Sequence, residues 1–300
     1  MNLLITGAWQ GARAHFEELE ARGFDIAFLQ QERDPLPCDP EWVEGVVCNG
    51  LFLHHPIELF RNLRFIQLTS AGFDRVDMDH VRAHGIEIHS ARGVYSIPMA
   101  EFAVSGVLQL YKQARFFQSN QAGHRWEKHR GLAELYGKRA LIVGCGSVGT
   151  ECAKRFTAFG CRVAGVDVMP RQDEAYEAML PLAGLEEQLA EADLLVLTVP
   201  LTPETEHLID RRRLGMLKEG AVVVNISRGK VLDENALCEM LADGRLSGAV
   251  LDVFETEPLP ETSPLWDAPN LILTPHNSFV GEGNGERLAE VILLSLDSVS

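Results

Sequence analysis

Short apolar runs alternate with amphipathic segments along two long stretches of the chain. In the first, which covers roughly residues 1 to 95, the apolar runs are residues 3–6, 25–29, 45–48, 64–68 and 87–89. Helical spacing appears between them, at residues 12–21 and 78–83. Strands that alternate with helices are typical of parallel sheets with helical crossovers. The first stretch therefore predicts an α/β domain.

The second alternating stretch extends from about residue 138 to residue 275. Its predicted strands are residues 140–143, 162–166, 194–198, 221–226, 248–252 and 271–274. Most are dense in Val, Ile and Leu, as expected of parallel strands covered on both faces. A second α/β domain follows from this pattern, and residues 282–298 predict a final helix.

Between the two stretches, residues 97–118 have helical periodicity, and Pro98 occupies a first-turn position where proline is tolerated. At about 1.5 Å per residue, such a helix would be roughly 30 Å long. We therefore expect a single long helix that acts as a strut between the domains.

Composition and charge limit the classes of partner and substrate that the protein can bind. Apolar residues make up 46% of the chain, which is enough for a substantial core, and 27 Lys and Arg against 43 Asp and Glu give a net charge of −16. Nucleic acids and anionic membranes attract basic surfaces, so neither is expected as a partner. An anionic substrate would need cationic groups inside its own site, because the net field opposes its approach.

The six cysteines are scattered, without C-x-x-C pairs or metal-ligand spacing. This pattern favours free thiols in a reducing compartment and no metal centre. The N-terminus has neither the basic region nor the apolar region of a signal peptide, and no apolar run has the length of a membrane span. We expect a soluble cytoplasmic protein.

A glycine-rich turn follows the predicted strand 140–143, in the sequence LIVGCGSVG at residues 141–149. Gly144 suits a tight turn, Gly146 lets main-chain amides approach a pyrophosphate, and Gly149 lets the next helix pack closely. The amphipathic helix that follows is predicted at residues 150–159, and its N-terminus, with Ser147 and Val148 in the loop before it, offers N–H groups and a positive dipole end to phosphate. Strand, turn and helix together predict a dinucleotide site; the alternative is a glycine turn that binds no nucleotide.

Asp167 ends the next predicted strand, 18 residues after Gly149. A carboxylate near this spacing binds the adenosine ribose hydroxyls in dinucleotide folds and repels a 2′-phosphate. NAD is therefore favoured over NADP, although the nearby Arg171 leaves NADP open as an alternative.

Three polar side chains follow predicted strands in the second half of the chain: Arg228, Glu257 and His276. The carboxyl ends of parallel strands form one ligand crevice, so these side chains are expected at one edge beside the cofactor. During hydride transfer to a keto carbon, the carbonyl oxygen gathers negative charge, and an imidazole is suited to protonate it near neutral pH. A carboxylate orients that imidazole and favours its charged form, and a guanidinium binds a substrate carboxylate in a planar fork.

These residues lie in a series of motifs that resembles the D-isomer-specific 2-hydroxyacid dehydrogenases over nearly the whole chain. The motifs are SAGFDRVD (70–77), PMAEF (98–102), GCGSVG (144–149), VPLTPET (199–205), NISRG (225–229), LDVFETEP (251–258) and TPHNS (274–278). Their joint order is more specific than any one motif. The sequence departs from many members at Phe102, where a histidine is common, and at Asn277, where a small apolar residue is common.

The resemblance implies a role for each candidate residue. Arg228 would bind the substrate, His276 would be the acid/base and Glu257 its partner. Asp252 would lie near the nicotinamide carboxamide, and Thr198 and Pro200 would line the cofactor cleft. The backbone at Ala71 and Gly72 would bind the substrate carboxylate from the other domain. The resemblance further implies a homodimer built on residues 97–118 and the loop after them.

The expected fold has two doubly wound parallel-sheet domains. Residues 97–276 would form a Rossmann NAD-binding domain, and residues 1–96 with 277–300 a flavodoxin-like substrate domain. The active site would lie between the domains, and the crossings near residues 97 and 277 would act as a hinge whose closure expels water.

The expected activity is hydride transfer between NAD(H) and a small 2-keto acid or D-2-hydroxy acid. Glyoxylate, hydroxypyruvate, phosphohydroxypyruvate and branched 2-keto acids all remain open as substrates. The alternative outside enzymes is an NAD-binding regulatory, corepressor-like protein on the same scaffold, since a fold alone does not fix function. A formate-type dehydrogenase is a second enzymatic alternative, for which the sequence shows no specific sign.

Overall fold

The computed structural model describes residues 1–299 and divides into two compact units. The first consists of Met1–Tyr95 and the chain from Gly281 onward, and the second is Ser96–Val280. The chain therefore passes between the units at 95/96 and 280/281, where the sequence analysis places the boundaries at 96/97 and 276/277.

The strands and helices alternate through both units. The strands are β1 (Asn2–Thr6), β2 (Asp25–Leu29), β3 (Gly45–Cys48), β4 (Phe65–Leu68), β5 (Glu87–His89), β6 (Arg139–Val143), β7 (Arg162–Val166), β8 (Ala178–Leu180), β9 (Leu194–Leu197), β10 (Ala221–Asn225), β11 (Leu246–Leu251) and β12 (Leu271–Leu273). The α-helices are α1 (Phe16–Ala21), α2 (Met78–His84), α3 (Ser96–Tyr111), α4 (Ala114–Ala122), α5 (Ser147–Ala158), α6 (Leu185–Leu189), α7 (Arg211–Leu214), α8 (Glu234–Ala242) and α9 (Asn284–Asp297).

The first unit is built on a five-stranded parallel sheet in the order β2-β1-β3-β4-β5. This is the flavodoxin-like order, as the sequence analysis expects. Helix α9 returns to cover one face of the sheet. Its buried residues Leu288, Ile292 and Leu296 recur every four positions and pack in one cluster with Leu3 and Ile5 of β1.

The second unit contains a seven-stranded parallel sheet in the order β12-β11-β10-β9-β6-β7-β8. Read from β8, this is the Rossmann order with a seventh strand added beyond β11. The predicted fold class is confirmed. The chain proceeds outward from β6 in one direction and from β9 in the other, so the carboxyl ends of β6 and β9 flank the point where ligands bind in such sheets.

The expectation of one helix over residues 97–118 is wrong. Helix α3 ends at Tyr111, and α4 begins at Ala114. Between them Gln113 has φ +52°, a left-handed conformation that interrupts helical hydrogen bonding. Helix α3 is packed on the sheet of its own unit: a Cβ on Gly106 would lie 2.7 Å from Cγ1 of Val250. Its small residues therefore let it approach β11 closely.

No helix formed by residues 1–299 combines the length and the apolar character that crossing a membrane requires. All six cysteines are free thiols.

Candidate active site

The glycine loop, residues 144–149, connects the end of β6 to the start of α5 and has no space for side chains at two positions. Gly144 has φ +97°, and a Cβ there would lie 2.8 Å from the carbonyl carbon of Thr198. A Cβ on Gly149 would lie 2.1 Å from the carbonyl oxygen of Gly144. The loop is therefore pressed between β9 and the first turn of α5, which only glycine permits.

The remaining residues of the loop present the helix N-terminus. Gly146 is the extended residue before α5, and Ser147 and Val148 begin the helix. Val148 packs on the hydrophobic core beneath the loop. This helix has twelve residues, and its first N–H groups lie beside the glycines of the loop. Its N-terminus is therefore suited to bind a pyrophosphate.

Thr198 fastens the glycine loop to the end of β9. Its Oγ1 donates to the carbonyl oxygen of Gly144 at 2.6 Å. Pro200 lies two residues further on, and its carbonyl oxygen accepts from Oγ1 of Thr205 at 2.7 Å. Thr198 therefore lies against the glycine loop, at the switch between β6 and β9, and Pro200 belongs to the segment that follows β9.

Asp167 follows β7 and is bonded to the same loop. Its Oδ2 accepts from the Cys145 N–H at 2.7 Å, and its Oδ1 accepts from the Met169 N–H at 2.9 Å. A carboxylate has about four lone-pair sites, so capacity remains for ribose hydroxyls. Arg171 donates to the Cys145 carbonyl oxygen at 2.9 Å, which places a guanidinium on the loop as well.

Cys145 occupies the interior of the loop. Burial, followed by smaller contributions from its neighbours, raises the pKa of the Cys145 thiol to about 11. The thiol is therefore neutral near physiological pH and fills space beneath the turn. Taken together, the glycine loop, the N-terminus of α5 and Asp167 fit the phosphates and adenosine ribose of a dinucleotide.

His276 and Glu257 are in direct contact: His276 Nδ1 lies 2.9 Å from Glu257 Oε2. Their side chains are 42% and 37% exposed, so the pair is open to solvent and to a ligand. His276 has φ +51°, a strained conformation for a residue with a Cβ. Its N–H donates to the Asp252 carbonyl oxygen at 2.8 Å, which ties the strained residue to the end of β11.

Asp252 anchors the loop that carries His276. The carboxylate is fully buried, and Oδ1 accepts from Thr274 Oγ1 at 2.6 Å and from the Asn277 N–H at 2.7 Å. Oδ2 accepts from the Ser278 N–H at 2.9 Å. A buried charge needs such partners, so Asp252 and this loop hold each other in place. Proximity of Asp252 to a nicotinamide carboxamide stays a prediction.

Arg228 lies in the turn after β10, the strand that pairs with β11. Its Nη1 donates to the Ser227 carbonyl oxygen at 2.7 Å, and Asn225 Nδ2 donates to the Arg228 carbonyl oxygen at 3.0 Å. A Cβ on the adjacent Gly229 would lie 1.8 Å from the carbonyl carbon of Phe254. The turn that carries Arg228 therefore touches, main chain to main chain, the loop that carries Glu257.

Ala71 and Gly72 lie in the other unit, in the turn after β4. Ser70 Oγ donates to the Gly72 carbonyl oxygen at 3.0 Å, and Ala71 is exposed. These residues belong to the carboxyl edge of their own sheet, and their action on a substrate carboxylate stays a prediction.

Sequence reasoning missed two residues that shape this region, and it gave a third a different role. Asn225 accepts from both the N–H and the Oγ of Ser227, and Gly229 allows the loop contact. Asp252, predicted near the cofactor, also binds the His276 loop. The glycine after Arg228 was visible as a signal of close backbone approach, whereas the bonds of Asn225 and Asp252 join distant or buried groups. Among residues 1–299, no group of three or more His, Cys, Asp or Glu side chains is placed to hold a metal ion.

Comparison with known proteins identifies the family. Residues 104–278 match the family model of the NAD-binding domain of D-isomer specific 2-hydroxyacid dehydrogenases. The chain belongs to the D-isomer-specific 2-hydroxyacid dehydrogenase family. A glyoxylate reductase of Korarchaeum cryptofilum is 34% identical over 239 residues, which cover 78% of this chain and 72% of that protein.

Two solved structures of dehydrogenases are also similar. A D-lactate dehydrogenase from Aquifex aeolicus, complexed with NAD and lactic acid, has a TM-score of 0.81 and 25% identity, covering 99% of this chain and 95% of that one. A D-isomer specific 2-hydroxyacid dehydrogenase from Xanthobacter autotrophicus, complexed with NADPH and MES, has a TM-score of 0.76 and 27% identity, covering 97% and 95%.

This dehydrogenase is an NAD-dependent oxidoreductase that transfers a hydride between the cofactor and a 2-keto or 2-hydroxy acid. The predicted family, enzyme class and NAD cofactor are confirmed, and the regulatory alternative is not favoured.

Proposed function

We propose that this dehydrogenase reduces glyoxylate, or a 2-keto acid of similar size, with NADH. His276 acts as the acid/base, Glu257 orients it and Arg228 binds the substrate. The observation that carries the proposal is the 2.9 Å contact between His276 Nδ1 and Glu257 Oε2. The likeness to a glyoxylate reductase at 34% identity makes glyoxylate the first substrate to test.

The arrangement of the three side chains supports these roles. Because Glu257 engages Nδ1, Nε2 is the ring atom directed away from the pair, and in its protonated form it donates to the substrate oxygen. NAD, when bound, supplies or accepts the hydride. Arg228 offers a planar fork to the substrate carboxylate, and in a chain of net charge −16 this local cation offsets the repulsion of an anion. Ala71 and Gly72 keep their proposed role in binding that carboxylate.

We propose a preference for NADH over NADPH. Asp167 accepts one N–H from the glycine loop and keeps lone pairs for the ribose hydroxyls, and its charge opposes a 2′-phosphate. Arg171 works in the opposite sense because its guanidinium binds the same loop. The preference is therefore expected to be a matter of degree.

We propose that the enzyme is a homodimer formed by the region after α3. Apolar side chains are exposed there: Trp126 is 98% exposed and Tyr136 81%, and Phe117 is also exposed. Aromatic side chains of this kind are enriched in protein interfaces. Light scattering coupled to gel filtration tests the dimer, and Trp126→Ser is expected to weaken it.

We also propose a cytoplasmic location, which agrees with the six free cysteines.

The deciding experiment follows NADH oxidation with glyoxylate, hydroxypyruvate, phosphohydroxypyruvate and branched 2-keto acids, and repeats each with NADPH. Arg228→Ala is expected to abolish turnover of the preferred acid. Arg212→Ala is the matched control, since Arg212 is an exposed arginine paired with Glu186. NADH binding without turnover of any acid would overturn the proposed substrate class and restore the regulatory alternative.

A further inference from the structure

Glu234, the first residue of α8, reaches the loop that carries Glu257. Asp233 caps the helix by accepting from the Ala236 N–H, which leaves the Glu234 side chain to point elsewhere. Glu234 Oε1 accepts from the Glu255 N–H at 2.6 Å. The side chain is only partly exposed. Its contact therefore joins two elements that the sequence separates by about twenty residues.

The peptide between Phe254 and Glu255 is held from two directions. Gly229 presses against its carbonyl group, and Glu234 accepts its N–H. Within the same loop, the Phe254 N–H donates to Glu257 Oε1 at 3.0 Å, and Glu257 Oε2 contacts His276. A continuous set of contacts therefore extends from α8 through this loop to the imidazole.

We propose that Glu234 is a positioning residue for the acid/base pair of His276 and Glu257. Glu234 holds the loop that carries Glu257, and its own charge is coupled through that loop to His276. This inference rests on the proposed roles of His276 and Glu257. Glu234 acts through the Glu255 amide and does not itself touch substrate.

The surroundings of Glu234 make its charge sensitive to pH. The pKa of Glu234 is raised to about 7, mainly by burial and also by the negative charges of Glu255 and Glu257. The Glu255 N–H and His207 oppose the rise; Cys238, on the same helix, also faces the carboxylate. His207 Nε2 lies 3.3 Å from Glu255 Oε1, so both flank the Glu234 contact.

Two consequences follow when Glu234 ionises as the pH rises. Its hydrogen bond to the Glu255 N–H becomes charge-assisted and stronger, which offsets part of the cost of burying the charge. Glu234 interacts with Glu257 through charge, and we expect the added negative charge to favour the charged imidazole of His276.

The test compares Glu234→Gln with Glu234→Ala in the full chain. Glutamine keeps an acceptor for the Glu255 N–H but cannot ionise, so kcat is expected within about twofold of wild type and the basic limb of the pH profile about half a unit lower. Alanine removes the acceptor, and kcat is expected to fall about tenfold while the KM for NADH stays unchanged. Glu239→Gln, an exposed residue of the same helix paired with Arg211, is the charge-matched control and should leave the profile unchanged.

A second readout does not depend on turnover. Imidazole ¹⁵N spectra of the cofactor-free enzyme follow the titration of His276, whose signal is assigned by its loss in His276→Asn. A shift of that titration to lower pH in Glu234→Gln supports the coupling even if no substrate has been found. An unmoved titration together with wild-type kcat in both Glu234 variants would overturn the proposal, and so would equal losses of kcat and NADH affinity in Glu234→Ala.

Discussion

The glycine loop and the catalytic loops lie along the same edge of one sheet, but different forces shape them. We define the catalytic loops as residues 226–229, 252–257 and 274–278. The glycine loop takes its form from absent side chains, because a Cβ at Gly144 or Gly149 would overlap neighbouring backbone. The catalytic loops are shaped by carboxylates that accept main-chain N–H groups: Asp252, Glu257 and Glu234 each bind at least one.

The contrast agrees with what each region has to do. A pyrophosphate site needs bare backbone amides close to the ligand, and glycines at positions without room for a side chain provide them. An acid/base site needs one side chain at a fixed orientation, and hydrogen bonds from a supporting set of residues provide that. Variants of the two regions should therefore fail differently: the glycine loop in cofactor affinity, the catalytic loops in turnover.

The largest effect is expected from His276→Asn. Loss of the imidazole removes the proposed proton donor, so kcat should fall by about 10³-fold, within the range typical of acid/base groups. NADH affinity should change little, because the contacts of His276 lie in the catalytic loops. Steady-state kinetics and NADH fluorescence titration measure the two quantities. Equal loss of NADH affinity would contradict the assignment.

A matched pair of glycine variants tests the contrast directly. In Gly229→Ala the new methyl would meet the Phe254 carbonyl carbon at 1.8 Å, which must displace the loop of Glu257. We expect kcat to fall about 10²-fold, as misplacement of reacting groups by an ångström can do, with NADH affinity nearly kept. Stopped-flow turnover and equilibrium NADH binding distinguish these outcomes.

Gly149→Ala is expected to do the reverse. Its methyl would lie 2.1 Å from the Gly144 carbonyl oxygen and push α5 away from the loop. NADH should bind about tenfold more weakly, roughly the loss of one charge-assisted hydrogen bond, whereas kcat at saturating NADH should hold. Gly285→Ala, where the methyl meets open space, is the control. Similar patterns of loss in both variants would break the contrast between the regions.

The sequence predicted what local patterns determine. Strand β7 has the expected bounds of residues 162–166, because a dense apolar run ends at the polar Asp167. The glycine loop was predictable because three glycines at fixed spacing follow a buried strand. By contrast, β8 was missed: it is a three-residue strand at the edge of the sheet, and its short run is hardly more apolar than its flanks.

Contacts between distant segments were the part that the sequence did not show. The break at Gln113 depends on a left-handed residue within a helical pattern, where Lys112 Nζ donates to the Ala133 carbonyl oxygen. The anchoring bonds of Asp252 join it to Asn277 and Ser278 in a loop that follows a different strand. Contacts of this kind leave no periodic pattern in the sequence. Asp252 was therefore predicted as a site residue, but its hydrogen bonds to Asn277 and Ser278 were not.

Asp167→Ala sharpens the comparison within the glycine loop. The change removes a charge that opposes a 2′-phosphate and leaves Arg171 on the loop. The ratio of kcat/KM for NADH to that for NADPH should fall about tenfold, the value of roughly one charged hydrogen bond. The double variant with Arg171→Ala should lose the NADPH activity that the single variant gains. An unchanged ratio would remove Asp167 from the ribose site.

The smallest effect separates the two regions by pH. In the folded protein the pKa of Glu234 is raised from 4.5 to about 7. The folded protein therefore keeps the proton on Glu234 up to a higher pH than the unfolded chain does. Its ionisation therefore destabilises the fold progressively as the pH rises from 4.5 to about 7. Glu234→Gln removes this cost. The difference in free energy of unfolding between variant and wild type should therefore be about 1 kcal/mol more favourable to the variant at about pH 8 than at about pH 5. The expected difference is this small because the side chain is partly solvated.

Cys145 gives the counterpart in the glycine loop. Its thiol, with a pKa raised to about 11 by burial, stays neutral throughout this range. Cys145→Ala should therefore change the free energy of unfolding by the same amount at both pH values. Urea unfolding at the two pH values measures both differences. A difference for Glu234→Gln that is equally independent of pH would show that Glu234 does not titrate between these pH values, and the two regions would then differ in geometry alone.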